Sequence, residues 1–317
     1  MINIEKFVES KILVIGSTNT DLIAKVDHFP SAGETLEGIS FQHAMGGKGA
    51  NQAIAAVRTG GNVTFVTSLG NDANGTNALD YFKKQGLDIS FSLISDDETT
   101  GTAMIWVDEN GENSIIIIPG ANKLLSPDYI LANQEIIENT DIIVLQMEIP
   151  YETIKTICKI AFQKGKKVIL NVAPAYRLED EILKAVYILV VNKTEAEFLA
   201  EEKIEDIGDE AIVEKLLKRG VQNVLLTLGN KGCLFKNRNE LLRVPAFSVK
   251  AVDTTAAGDT FCGALATGIS KNRCMQDVLE FASAAAAISV TKLGAQPSIP
   301  NKEEINNFLK NEYIINK

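Results

Sequence analysis

The sequence is poor in histidine, cysteine and tryptophan: two, four and one in 317 residues. With only His28 and His43 available, a Ser-His-Asp triad has little room, and a general base is more readily a carboxylate. The cysteines, Cys158, Cys233, Cys262 and Cys274, show no Cys-x-x-Cys spacing. That pattern argues against a zinc site or disulfide scaffold and for free thiols in a reducing cytoplasm. No apolar run approaches the roughly 20 residues of a membrane span, and the first ten residues carry Glu5 and Glu9 rather than the apolar core of a leader. Positive charge is in deficit as well. Against 41 acidic residues stand 31 basic ones, a net charge of -10, which disfavours a general binder of nucleic acid or anionic membrane but leaves room for a local basic site. What remains, 45% hydrophobic and 23% charged residues, is the composition of a globular protein with a sizeable core, in one large domain or two modest ones.

Short apolar, β-rich runs recur at Lys11 to Ile15, Asn62 to Thr67, Asp141 to Met147, Lys167 to Asn171, Tyr187 to Val191 and Asn223 to Leu228. Helical patterns lie between them; Ile154, Ile157, Cys158 and Ala161, at i, i+3, i+4 and i+7, make one apolar face. This alternation predicts an α/β fold around a mainly parallel sheet covered on both faces.

Two stretches break the rhythm. Asp21 to His43 and Thr99 to Ile118 read as strand, turn, strand, with reversals at Gly33 and at Asp108-Glu109-Asn110-Gly111. Together they predict a small antiparallel sheet inserted into the main body. Ile115 to Ile118 lacks the alternation of a sheet wetted on one side, so cover is expected on both faces, either from a partner subunit or because the strand is internal to one monomer.

Candidate chemistry begins at Gly46-Gly47-Lys48-Gly49-Ala50-Asn51, a glycine loop running into a helical pattern. Glycines allow positive φ and close backbone approach, and amides at a helix start attract polar or anionic groups. Gly49 after Lys48 excludes a Walker A loop. Tight packing under the helix would equally explain the glycines. The first strand runs out through Asn19, Thr20 and Asp21 where open α/β sheets bind ligands, and an amide with a carboxylate suits vicinal hydroxyls; turn formation is the alternative.

The strongest cluster is Asp253-Thr254-Thr255-Ala256-Ala257-Gly258-Asp259-Thr260. Small residues let the chain turn tightly into a helix whose first amides are unpaired and partly positive. Amides of Ala256, Ala257 and Gly258 would face a developing anion while Asp259 projects nearby, an arrangement able to deprotonate an alcohol while neutralising a transferred phosphoryl group. The plainer alternative is Asp259 as a helix cap. Thr227 to Gly232 could hold phosphates or simply form a hairpin turn into Cys233 to Lys236. In Asn192-Lys193-Thr194-Glu195, Glu195 could organise magnesium through water, or Thr194 could cap a helix with acidic residues in its first turn. Glu148 lies at the same sheet edge, as site carboxylate or surface loop.

The Gly46 to Asn51 pattern, continued through Ala53 to Gly60 and Gly70, and the pattern from Asp253 through Asp259 to Ala266 resemble the two signatures of the phosphofructokinase B family of carbohydrate kinases. The resemblance covers Lys11 to about Leu309. Within the family, Asn19-x-Asp21, Gln146-x-Glu148, Ala256-Ala257-Gly258-Asp259 and Gly294-Ala295-Gln296-Pro297-Ser298 resemble the members that phosphorylate ribose.

The resemblance implies a Rossmann-like α/β domain (1–18, 44–98 and 119–317) with a four-stranded β lid (19–43 and 99–118) through which two copies often pair. It implies phosphorylation of the ribose 5-hydroxyl by ATP with Mg2+ and K+. Asp259 is then the base and Ala256, Ala257 and Gly258 the anion hole; Asn19, Thr20, Asp21, Gly47, Lys48, Gly49, Ala50, Asn51 and Glu148 surround the sugar. Asn192, Thr227, Leu228, Gly229, Asn230, Lys231, Gly232, Gly258 and Ser283 surround ATP, where Ser283 replaces the family's usual Asn or His. Glu195 is linked with magnesium, and Asp253, Thr255, Ser289, Lys292, Gly294 and Ser298 with potassium, several through carbonyls. The alternatives are a kinase of deoxyribose, fructose or a nucleoside, and a non-catalytic sugar-binding regulator.

Overall fold

In the computed structural model, which describes residues 10–315, fourteen strands are present. They are β1 (Lys11–Ile15), β2 (Asn19–Lys25), β3 (Ser40–Gly46), β4 (Asn62–Val66), β5 (Ser68–Gly70), β6 (Leu93–Ser95) and β7 (Gly101–Val107), followed by β8 (Asn113–Ile118), β9 (Ile142–Leu145), β10 (Lys167–Asn171), β11 (Ile188–Asn192), β12 (Asn223–Thr227), β13 (Cys233–Asn237) and β14 (Leu241–Val244). The expectations for Glu5 and Glu9 lie outside the described residues. Eight strands form one sheet in the order β14-β13-β12-β11-β10-β9-β1-β4. It is parallel from β4 to β12, and β13 and β14 are added antiparallel.

The near-continuous apolar strands are explained by two cores. In β1, Ile12 and Val14 point into one and Leu13 and Ile15 into the other, all four at 0% exposure. Side chains alternate with period two, so a strand apolar at every position needs helices on both faces. The Lys48–Arg58, Ala257–Ser270 and Met275–Ser289 helices cover one face; Tyr151–Gln163, Lys193–Ala200 and Asp209–Lys218 cover the other. Each fully buried Ile or Leu contributes roughly 1.5–3 kcal/mol over leaving it in water, enough to fix the strand register. No helix among the described residues is long and apolar enough to cross a membrane.

Strand ends differ from expectation by one or two residues. The β9 strand stops at Leu145, so that Gln146, Met147 and Glu148 leave the sheet, and β11 begins at Ile188 and takes in Asn192. Hydrophobicity continues past the last ladder bond because the departing residues still pack on the core.

A second sheet has the order β3-β2-β7-β8 and is mixed rather than antiparallel throughout as expected: each hairpin is antiparallel, but the two join through β2 and β7, which run parallel. Gly33 (φ 84°) and Gly111 (φ 81°) sit at its reversals, and the Asp108 carboxylate accepts from the amides of Asn110 and Glu112 to tighten the second. Ile115 to Ile118 do not lie in an internal strand: β8 is an edge, and these side chains are 45–50% exposed. Among the described residues neither face of that run is fully covered, which is at odds with the monomer-internal reading.

Candidate active site

The polar residues gather at the carboxyl ends of the parallel strands. There the Gly46–Asn51 loop is pressed against the turn leaving β1. Gly47 has φ 90°, and a Cβ on Gly49 would overlap the backbone of Gly16 and Ser17. Packing thus accounts for both glycines. Glu148 ties the loop down: its Oε2 accepts from the Ser17 hydroxyl at 2.6 Å and from the Lys48 amide at 3.0 Å. Asn19 is buried, and its Oδ1 accepts from Asn122 Nδ2 at 2.8 Å, while Asn122 also closes both backbone groups of Thr18.

Asp21 follows on β2, facing Glu148, Asp259 and Lys48. Burial first, and then the charges of Glu148 and Asp259, push its carboxyl up to about 7. A carboxylate held above its unfolded value binds its proton more tightly in the native state, so its stability contribution is complete at low pH and is lost as pH rises through 7. The Asp21→Asn variant of the sugar-free protein is therefore expected to melt above wild type at pH of about 8 and close to it at about 4. Thermal melts at the two pH values check this; a gain confined to acid would reverse the assignment.

Asp259 lies in the first turn of the Ala257–Ser270 helix and is 7% exposed. It does not cap that helix. The cap position belongs to Ala256, in the left-handed conformation at φ 59°, a strained choice for a non-glycine residue that draws the turn tight. The Asp259 carboxylate instead receives Asn51 Nδ2 on Oδ2 at 3.0 Å and Gln52 Nε2 on Oδ1 at 2.9 Å. The Ala257 amide donates to the Thr254 carbonyl at 3.2 Å, which differs from the expectation that it faces the anion, whereas Gly258 opens onto free space. Lys48 lies half-buried nearby, its ammonium favoured chiefly by the charge of Asp259, with Glu148 and Glu195 adding to it.

Two cavities meet at this helix start. One of about 160 Å³ is lined by Lys48, Asn192, Glu195, Ala256, Gly258 and Asp259. The other, about 310 Å³, is lined by Gly229, Asn230, Gly232, Phe247, Ser283 and Ala287 among others; Thr227, Thr254, Ala257 and Gly258 belong to both. Neither Leu228 nor Lys231 lines them, and Leu228 packs against the core. In the Asn192-to-Glu195 segment the cap is Asn192, not Thr194: Asn192 Oδ1 accepts from the Glu195 amide at 2.9 Å while Glu195 takes the Asn192 amide at 2.8 Å. Burial raises the Glu195 carboxyl. A third cavity, about 340 Å³, opens on the small-sheet side between Asn19, Asn122, Met147 and Glu148. A small polar space such as the one around Lys48, Glu195 and Asp259, joined to a more apolar one at a helix start, suits a hydroxylated substrate beside a phosphorylated one.

The model of the pfkB family of carbohydrate kinases matches residues 9–302. The chain belongs to this family. Ribokinase from Haemophilus influenzae is 39% identical over 300 residues, 94% of this chain and 98% of its own. The crystal structure of ribokinase from Thermotoga maritima has a TM-score of 0.88 at 41% identity, covering 95% of this chain and 99% of that one. The structure of Arabidopsis thaliana ribokinase complexed with ribose and ATP has a TM-score of 0.87 at 33% identity, covering 96% and 99%.

In this pfkB-family kinase the residues expected to hold potassium lie on two segments joined by Asp253. Its Oδ1 accepts from the amide and hydroxyl of Thr255, and its Oδ2 from the Gly294 amide at 2.8 Å. The hydroxyls of Ser289 and Ser298 are committed to the carbonyls of Ala286 and Ala295, and Lys292 Nζ pairs with Glu304. Any cation contact from Lys292 therefore falls to its backbone oxygen, whereas the two serine hydroxyls, which donate their protons, keep lone pairs free. Sequence reasoning missed Asn122, Gln52 and Asn171, and it used Gln146 and Gln296 only as markers of resemblance. Gln52, beside Asn51 at a helix start, carried the one usable signal, a second side-chain amide next to the first.

Proposed function

We propose that this kinase transfers the γ-phosphoryl group of ATP to the 5-hydroxyl of ribose. The observation that carries the reading is the placement of Asp259 in the smaller cavity, its carboxylate held by Asn51 and Gln52, next to Gly258, which lines both cavities and has nothing within 4 Å of an added Cβ. Asp259 accepts the proton of the sugar hydroxyl as the oxygen attacks phosphorus, and the helix-start amides of Ala256, Ala257 and Gly258 take up charge on the transferred group. Since Ala257 is engaged by Thr254, that role falls first to Gly258. Asn19, Thr20, Asp21, the Gly47–Asn51 loop and Glu148 orient the sugar, and Lys48 offsets negative charge between the two substrates.

The nucleotide lies in the larger cavity along Thr227, Gly229, Asn230, Gly232 and Ser283. Magnesium accompanying ATP would neutralise phosphate charge, with Glu195 and Asn192 at hand to hold its waters. The oxygen-only donors of Asp253, Thr255, Ser289, Lys292, Gly294 and Ser298 suit a hard monovalent cation such as potassium, which would firm up the turn before the helix. Segments 19–43 and 99–118 act as the lid, excluding water from the reaction. A second copy of the chain, packed on the exposed Ile39, Phe41 and Ile115 to Ile118, supplies the cover that four consecutive isoleucines call for. Free thiols, three buried and only Cys274 exposed, fit the cytoplasm.

The test is the position of the phosphate. Phosphorus–proton correlation NMR of the product is expected to place it on carbon 5, with 5-deoxyribose inert. Phosphate at carbon 1, or turnover of 5-deoxyribose, would refute the assignment.

A further inference from the structure

Two chains of side-chain amides converge on Asp259 from opposite sides. Gln146 Nε2 donates to Gln52 Oε1 at 2.8 Å, and Gln52 Nε2 donates to Asp259 Oδ1 and also to Asn171 Oδ1 at 3.1 Å. On the other side Gln296 Nε2 donates to Asn51 Oδ1 at 3.1 Å, and Asn51 Nδ2 donates to Asp259 Oδ2. An ionised carboxylate only accepts, so each inner amide must turn its nitrogen to Asp259 and its oxygen outward; each outer amide must then present nitrogen. The direction of both chains follows from the charge at their centre.

The outer glutamines bear the cost. Gln146 Oε1 and Gln296 Oε1 are buried without a partner among the described residues, and a buried acceptor left unpaired is destabilising. Gln296 is further fixed through its backbone: Arg58 Nη1 donates to the carbonyls of Gln296 and Ile299 at 2.6 and 2.9 Å. Arg58 ends the helix on which Asn51 and Gln52 sit, so one helix grips the Gln296 segment by both main chain and side chain.

We propose that Gln52 and Gln296 are positioning residues for phosphoryl transfer. Gln52 holds Oδ1 of Asp259, and Gln296 holds Asn51, which holds Oδ2; with both oxygens pinned, the carboxylate plane is fixed and its remaining lone pairs face the substrate hydroxyl. The proposal rests on the reading of Asp259 as the base.

Methionine matches glutamine in length and cannot donate, so Gln52→Met, Gln296→Met and Gln146→Met are the variants of choice. Misplacing a catalytic group by about 1 Å can cost as much as 100-fold, and kcat is expected to fall about 10- to 100-fold in Gln52→Met and Gln296→Met with KM for ATP within about twofold. Thermal melting reports whether each variant folds, and Gln146→Met, one step removed, carries the test of that arm should Gln52→Met not fold. In the Asp259→Asn background each substitution is expected to lower the residual rate less than twofold, because the group it positions is gone. A kcat within twofold of wild type for folded single variants, or equal falls in both backgrounds, would overturn the proposal while leaving the kinase reading intact. Wild-type protein that turns over no sugar would remove that reading, and the proposal with it.

Discussion

Replacing Asp259 by asparagine is expected to lower kcat by about 10²- to 10⁴-fold, the range of a lost general base, while the dissociation constant for ATP changes less than about twofold. The separation follows from geometry. Asp259 lines the smaller cavity but not the larger one, whose walls come from Gly229, Phe247, Ser283 and Ala287. Asparagine keeps the shape yet brings an NH2 group towards one of two amides that are already donating, Asn51 Nδ2 and Gln52 Nε2, so one donor pair must turn away. Steady-state kinetics with calorimetric titration of ATP separates the two effects; parallel losses in both would mean that the carboxylate supports the nucleotide site rather than the chemistry.

The second large effect is a contrast between two glycines. A Cβ at Gly258 meets nothing within 4 Å, so Gly258→Ala is expected to melt with wild type while a methyl group stands where phosphate approaches the helix start. Its kcat/KM for ATP should fall about 100-fold, comparable to losing one anion-hole donor. At Gly49 the added Cβ overlaps the Gly16 and Ser17 backbone, and Gly49→Ala is expected to lose about 1–3 kcal/mol or more of folding stability. Urea melts and ATP saturation curves on both variants check the pair. A destabilised Gly258→Ala with normal ATP kinetics would remove Gly258 from the anion hole.

These contrasts show which parts of the molecule are legible in its sequence. The parallel strands are, because a core on each face demands unbroken apolar runs such as Lys11 to Ile15, and the two helix-free segments are, because Gly33 and Gly111 mark reversals that only their positive φ allows. The glycine loops carry less than they suggest. Gly47 and Gly49 are accounted for by packing, whereas Gly258 and, in the loop 227–232, Gly229 are left open for a ligand. The cap of the Lys193–Ala200 helix shows another limit: Thr194 and Asn192 are both able cappers, and the choice is made by where β11 releases the chain. Least legible are the side chains that meet only through the fold. Gln296 lies 245 residues from Asn51 along the chain, and Gln52 lies 207 from Asp259, separations at which no local pattern operates.

The central claim, that ATP phosphorylates ribose at this site, is tested most directly by an ATP-coupled assay of ADP release across ribose, 2-deoxyribose, fructose, other pentoses and nucleosides, with a no-sugar control. Ribose is expected to give the highest kcat/KM, since a site built to bond a hydroxyl discriminates against the analogue that lacks it. ADP release equal to the no-sugar rate for every substrate, or a higher kcat/KM for 2-deoxyribose or a nucleoside than for ribose, would contradict it.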